Sequence, residues 1–147
     1  FVRTMIRALF NTVANKRIAL FGFAFKANTG DTRESPAITI TRRLIEEHTN
    51  VTITDPKAIP NAKLDLQDIQ NEIEFEADPY RAAENAHAIA ILTEWDEYKH
   101  LDYKKIFDSM QKPAFLFDGR NILAREEMFK IGFNVYSIGH PALSHLD

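Results

Sequence analysis

Residues able to do chemistry gather in three short stretches of this sequence, 26–33, 93–96 and 118–120. Each directly follows an apolar run of strand length. In an open α/β sheet, ligands bind beyond the carboxyl ends of the strands, where the strand order reverses. In the common order 3-2-1-4-5-6, strands one, four and five are neighbours around that point. Lys26, Arg33, Glu94, Trp95, Asp118 and Arg120 are then expected to converge on one rim. Cations beside an aromatic ring suit a phosphate-bearing ligand with a flat base. Taken singly, these residues have plainer uses. Lys26 and Arg33 fit a solvated basic loop, and Arg120 fits a surface partner for Asp118, since such pairs are common and weak.

The loop after the first strand is not a dinucleotide fingerprint. That motif needs G-x-G-x-x-G, so that backbone can touch a pyrophosphate at a helix start. Here Gly22 is followed by Phe23-Ala24-Phe25, and the next glycine is Gly30. Large aromatics stand where backbone would have to approach. A complete NAD site within this chain is therefore not expected.

Other chemistries have less support. The five histidines, at 48, 87, 100, 140 and 145, lack H-x-x-x-H spacing, so no metal site is expected. Ser35 and Ser137 have no adjacent base and no nucleophile-elbow glycines. The absence of cysteine excludes a disulfide framework, a thiolate metal site and a thiol nucleophile within the 147 residues. No catalytic residue is assigned. A net charge of −3 and a pI near 6.0 give no electrostatic footprint for nucleic acid or an anionic membrane. The longest apolar run, 18–25, is far short of the roughly 18–20 residues of a membrane span. The chain starts at Phe1 and reads as a piece of something longer.

The elements that must position the rim follow from periodicity. Val2, Met5, Ile6, Leu9, Phe10 and Val13 form one helical stripe. That stripe must either pack back on the domain or pair with a second copy through Met5, Leu9 and Phe10. Strands are expected at 18–23, 51–54, 73–76, 88–92, 113–117 and 133–138. Helices are expected from Ser35-Pro36 to about Glu47, from Asp78-Pro79 to about Ala86, and over 102–110 and 122–131. Ser35 and Asp78 are N-caps, each with proline at the first helical position. Residues 57–71 read as a loop with one helical turn near 64–69, and the tail after Gly139 should fray. The phenylalanines read as packing, with Phe25 the exception because it borders the loop. Alternating strands and helices predict an α/β domain, Rossmann-like and doubly wound, with a mainly parallel sheet of about six strands.

At this point the loops become specific. The run 22–35, GFAFKANTGDTRES, resembles the signature of the C-terminal domain of nucleotide-sugar dehydrogenases. The likeness continues in order through Asp55-Pro56-Lys57, Thr93-Glu94-Trp95-Asp96 and Phe117-Asp118-Gly119-Arg120, and it covers essentially the whole chain. The last two segments are similar to the UDP-glucose 6-dehydrogenases within that family. The resemblance implies a cytoplasmic, homo-oligomeric enzyme that oxidises UDP-glucose to UDP-glucuronate with two NAD. It implies that residues 1–15 end a long central helix and that 16–147 form the UDP-sugar-binding domain. The NAD-binding domain and the catalytic Cys and Lys would lie elsewhere, so this piece alone would be inactive. By matching positions, Phe25, Lys26 and Arg120 would bind the nucleotide sugar, and Arg33 would reach NAD across a cleft. The alternatives are a free-standing nucleotide-binding or interaction module without catalysis, or the equivalent domain of another nucleotide-sugar dehydrogenase.

Overall fold

A computed structural model describes residues 1–9 and 11–146. Phe10, one member of the predicted apolar stripe, lies outside the described residues. The elements run α1 (Val2–Ala8), β1 (Arg17–Phe21), α2 (Pro36–Glu46), β2 (Asn50–Thr54), α3 (Ile59–Asp65), β3 (Ile73–Phe75), α4 (Pro79–Ala83), β4 (Ala88–Ile91), α5 (Tyr103–Ser109), β5 (Phe115–Asp118), α6 (Arg125–Ile131) and β6 (Asn134–Ser137). Short 3₁₀ turns at Gln70–Glu72 and Asp96–Lys99 complete them.

The six strands form one sheet in the order β3-β2-β1-β4-β5-β6, and every pairing is parallel. This is the doubly wound order expected from the sequence. Right-handed crossovers place α2 and α3 on one face and α4, α5 and α6 on the other. Chain direction reverses its sideways progress between β1 and β4, which sets the switch point there. Strand burial follows from the layers. Ile18, Ala19, Leu20 and Phe21 of β1 are fully buried, as are all four residues of β4, because a parallel sheet covered on both faces has no wet side. Phe21, Phe23, Phe115, Phe117 and Phe133 are buried to within about 1%. Each contributes about 1.5–3 kcal/mol by leaving water.

The N-terminal stripe packs back on its own domain. Met5 and Leu9 are fully buried, and Val2 and Val13 nearly so, so they are not free to pair with a second copy. The Phe1 ring meets Phe117 edge-on at 6.4 Å between centroids. No helix among the described residues is long and apolar enough to cross a membrane.

Three local expectations need correction. α3 occupies a stretch read as loop. Its start has no side-chain cap of its own, and the preceding N–H groups of Lys57 and Ala58 donate instead to Asp55, both at 2.8 Å. α6 begins at Arg125, three residues later than predicted, because the Ile122 and Leu123 N–H groups are held by Asp118. The tail does not fray. Val135 and Leu143 exchange backbone hydrogen bonds of 2.8 and 3.0 Å in an antiparallel bridge. The His145 ring stacks on Phe129 with centroids 3.9 Å apart, and the His145 backbone N–H donates to Asn134 Oδ1 at 2.7 Å.

Candidate functional site

The site is built on the loop that leaves β1. Gly22 has φ +101°, and a Cβ there would lie 2.5 Å from Thr93 Cβ. Only glycine tolerates both the left-handed backbone and that approach. The next two N–H groups, of Phe23 and Ala24, donate to Asp55 Oδ2 at 2.8 and 3.0 Å. The carbonyls are held as well: Ser35 Oγ donates to Phe23 O, and Thr93 Oγ1 donates to Ala24 O, each at 2.8 Å. Pinned in this way, the backbone delivers Phe25 and Lys26 to the surface. Phe25 is 44% exposed, an unusual value for a ring so close to a packed core.

Beyond Lys26 the loop closes on itself and on its neighbours. Phe25 N–H donates to Asp31 O at 2.8 Å. Ala27 N–H donates to Glu94 Oε1 at 3.1 Å. Arg33 grips Asp31 through Nε and Nη2, the shorter contact being 2.7 Å. The Arg33 guanidinium holds the Asp31 carboxyl down to about 2, with Lys26 adding to the effect, and Asp31 in turn raises Arg33. Phe25, Asp31, Arg33 and Glu34 line an open depression of about 490 Å³.

The other two predicted stretches arrive from β4 and β5. Glu94 Oε2 is in ion-pair contact with Arg120 Nη2. Through Glu94, the loop carrying Phe25 and Lys26 is therefore joined to Arg120. Arg33 stands further out on the same loop, its side chain 88% exposed.

Two of the predicted rim residues turn inward. Trp95 is only 5% exposed, and its Nε1–H donates to Asp55 Oδ2 at 3.2 Å. A buried indole needs a partner for its one polar group, and the carboxylate supplies it. It offers no face to a ligand. Asp118, also buried, accepts the N–H groups of Arg120, Ile122 and Leu123 at 2.9–3.1 Å. Its carboxylate is occupied by backbone, so the Arg120 guanidinium pairs with Glu94 and not with its sequence neighbour.

Asp55 is the organiser that sequence reasoning missed. It accepts five hydrogen bonds, from four backbone N–H groups and one indole. The available signal was an acidic residue at the carboxyl end of an inner strand, followed by proline. The resemblance includes it in Asp55-Pro56-Lys57 but gives it no role.

This arrangement also decides what the β1 loop can hold. In a dinucleotide domain the N–H groups of this turn face a pyrophosphate. Here the N–H groups of Phe23 and Ala24 face a resident carboxylate, and Phe23 is fully buried. The turn does not fit an NAD pyrophosphate. Among the described residues there is no cluster of three or more His, Asp or Glu able to hold a metal ion.

Fold and site together define a Rossmann-like domain whose switch-point rim presents cations and an exposed aromatic while its first turn is closed to a dinucleotide. The chain belongs to the UDP-glucose/GDP-mannose dehydrogenase family as its UDP binding domain, whose pattern matches residues 19–125. UDP-glucose 6-dehydrogenase 1 of Arabidopsis thaliana is 42% identical over 99% of this chain and 34% of its own length. UDP-glucose 6-dehydrogenase of Caenorhabditis elegans is 49% identical over 95% of this chain and 30% of its own. A solved UDP-glucose dehydrogenase from the archaeon Pyrobaculum islandicum superposes with a TM-score of 0.72 at 25% identity, covering 91% of this chain and 27% of that one. The chain spans about a third of the length of the curated relatives it matches.

Proposed function

We propose that this chain is the UDP-sugar-binding domain of a cytoplasmic, homo-oligomeric, NAD-dependent UDP-glucose 6-dehydrogenase. Residues 1–15 end the segment that connects it to an NAD-binding domain. The observation that carries the reading is the Glu94 junction, which draws the Phe25–Lys26 loop and Arg120 onto one rim at the switch point. Lys26 and Arg120 supply positive charge for a diphosphate, and the exposed Phe25 ring supplies an apolar wall. A guanidinium can fork onto two phosphate oxygens, which an ammonium cannot. Arg33, exposed and paired with Asp31, would reach a dinucleotide held by another domain. NAD would accept the hydride there, and the thiol nucleophile must also come from outside these residues, which contain no cysteine. UDP-glucose is favoured over other nucleotide sugars by the Thr93–Asp96 and Phe117–Arg120 segments, and by the names of the relatives at 42–49% identity.

The test is calorimetric titration of UDP-glucose into the unaltered chain and into Arg120→Ala. Loss of a charge-assisted hydrogen bond should cost about 1.5–3 kcal/mol of binding, more than tenfold in Kd. Folding stability should move by about 0.5 kcal/mol or less, because the residue is partly exposed at a rim. A large fall in Tm with unchanged affinity would make Arg120 a structural residue and remove the reading's main support.

A further inference from the structure

Glu94 stands where the parts of the rim meet. One carboxylate oxygen accepts the Ala27 N–H at 3.1 Å, and the other contacts the Arg120 guanidinium. The two partners come from different loops, one leaving β1 and one leaving β5. Both charged side chains are about one-third exposed, 31% for Glu94 and 36% for Arg120. They sit at the edge of the rim, neither sealed in the core nor free in solvent.

An acid beside a site for an anion opposes binding through its charge, unless it performs some other service there. The geometry identifies that service. A guanidinium has five N–H donors in a rigid fork. Contact through Nη2 alone leaves the Nε and Nη1 groups without a hydrogen bond among the described residues. An arginine side chain tethered at one corner has lost much of its rotamer freedom before a ligand arrives, and preorganisation of that kind favours affinity. The same carboxylate fixes the backbone one residue after Lys26.

We propose that Glu94 is the positioning residue of this rim, holding Arg120 and the Phe25–Ala27 backbone in register so that Lys26 and Arg120 meet one diphosphate. The proposal rests on the reading that the rim binds a UDP-sugar. It assigns Glu94 no contact with the ligand.

The experiment is a double-mutant cycle on the whole chain with UDP as the probe. Glu94→Gln keeps an amide oxygen for Ala27 and presents Arg120 with a neutral group. It should weaken UDP binding about fivefold when Arg120 is present, and by less than about twofold in a chain already carrying Arg120→Ala. Equal losses in both backgrounds would assign Glu94 a general structural role, and tighter binding in Glu94→Gln would make it a competitor for Arg120. Either result overturns the proposal. A second measurement needs no variant. In nitrogen-edited NMR of the unaltered chain, the Ala27 amide and Arg120 Nε–H signals should respond to UDP with one common apparent Kd. Separate responses would overturn the proposal, while no response from either signal would overturn the reading of the rim itself.

Discussion

Arg33 and Asp31 are two residues apart, one largely exposed and the other about one-third exposed, and still locked in a bidentate pair. The reason is local: the loop returns on itself between Thr29 and Arg33, with Asp31 N–H bound to Thr29 Oγ1 at 3.1 Å and Arg33 N–H to Asp31 Oδ1 at 2.9 Å. The guanidinium hydrogen bond is the main cause that depresses the Asp31 carboxyl to about 2 from an ordinary 3.8. A depressed acid contributes whatever stability it has above its ordinary value, and loses it as pH falls from 3.8 toward 2. Carboxyl-carbon NMR should therefore give Asp31 a midpoint near 2, and Arg33→Ala should return it toward 3.8. A midpoint near 3.8 in the unaltered chain would mean that the pair does not hold Arg33 in solution. At this scale the sequence was readable wherever chemistry is local. Phe25 stood out among the phenylalanines because it follows the strand run and enters a polar loop. The partner of Arg120 was not readable, since adjacency favours Asp118, whereas the fold commits that carboxylate to backbone and brings in Glu94 from another strand.

At the scale of elements, two inner strands end in or just before a buried aspartate that takes up the N–H groups of the loop beyond. Asp55 serves the loops after β1 and β2, and Asp118 serves the start of the loop after β5. Each replaces several separate caps with one carboxylate, and each is almost fully buried. Removing Asp55 would leave buried donors without partners, each costing about 1–3 kcal/mol. Asp55→Ala should therefore lower stability by about 3 kcal/mol or more in urea denaturation. A loss below about 1 kcal/mol would show that these N–H groups find other partners. The same devices explain which elements the sequence announced. Ser35-Pro36 and Asp78-Pro79 carry their own caps and accept from Ala37 and Tyr80 as expected. α3 carries none, because Asp55, just beyond the strand before it, takes up the N–H groups that lead into it. Gly119 is required by a close approach, since a Cβ there would lie 2.8 Å from Ile91 O. The tail gave no signal of its own, because its order depends on the Val135 bridge and the Phe129 ring.

For the whole molecule, strand order sets the separation of tasks. Placing β1 between β2 and β4 brings the loops of residues 26–33, 93–96 and 118–120 to one end of the sheet, although Phe25 and Arg120 lie 95 positions apart in the chain. The same arrangement turns the N–H groups of Phe23 and Ala24, just beyond the first strand, inward to Asp55 and closes that turn to a dinucleotide pyrophosphate. The 147 residues also contain no cysteine. On the proposed reading, such a chain binds a nucleotide sugar and leaves its oxidation to groups outside these residues. The purified chain, given UDP-glucose and NAD together, should bind the sugar nucleotide and form no NADH by absorbance. Two independent features produce that outcome, the missing thiol and the closed turn, so opening the turn alone should not restore oxidation. Adding the separately expressed NAD-binding part of the same enzyme should do so, provided the two associate. Steady NADH formation by the chain alone, in material free of host dehydrogenase, would contradict this division of labour. It would require a nucleophile and a hydride acceptor site that the rim, as built, does not provide.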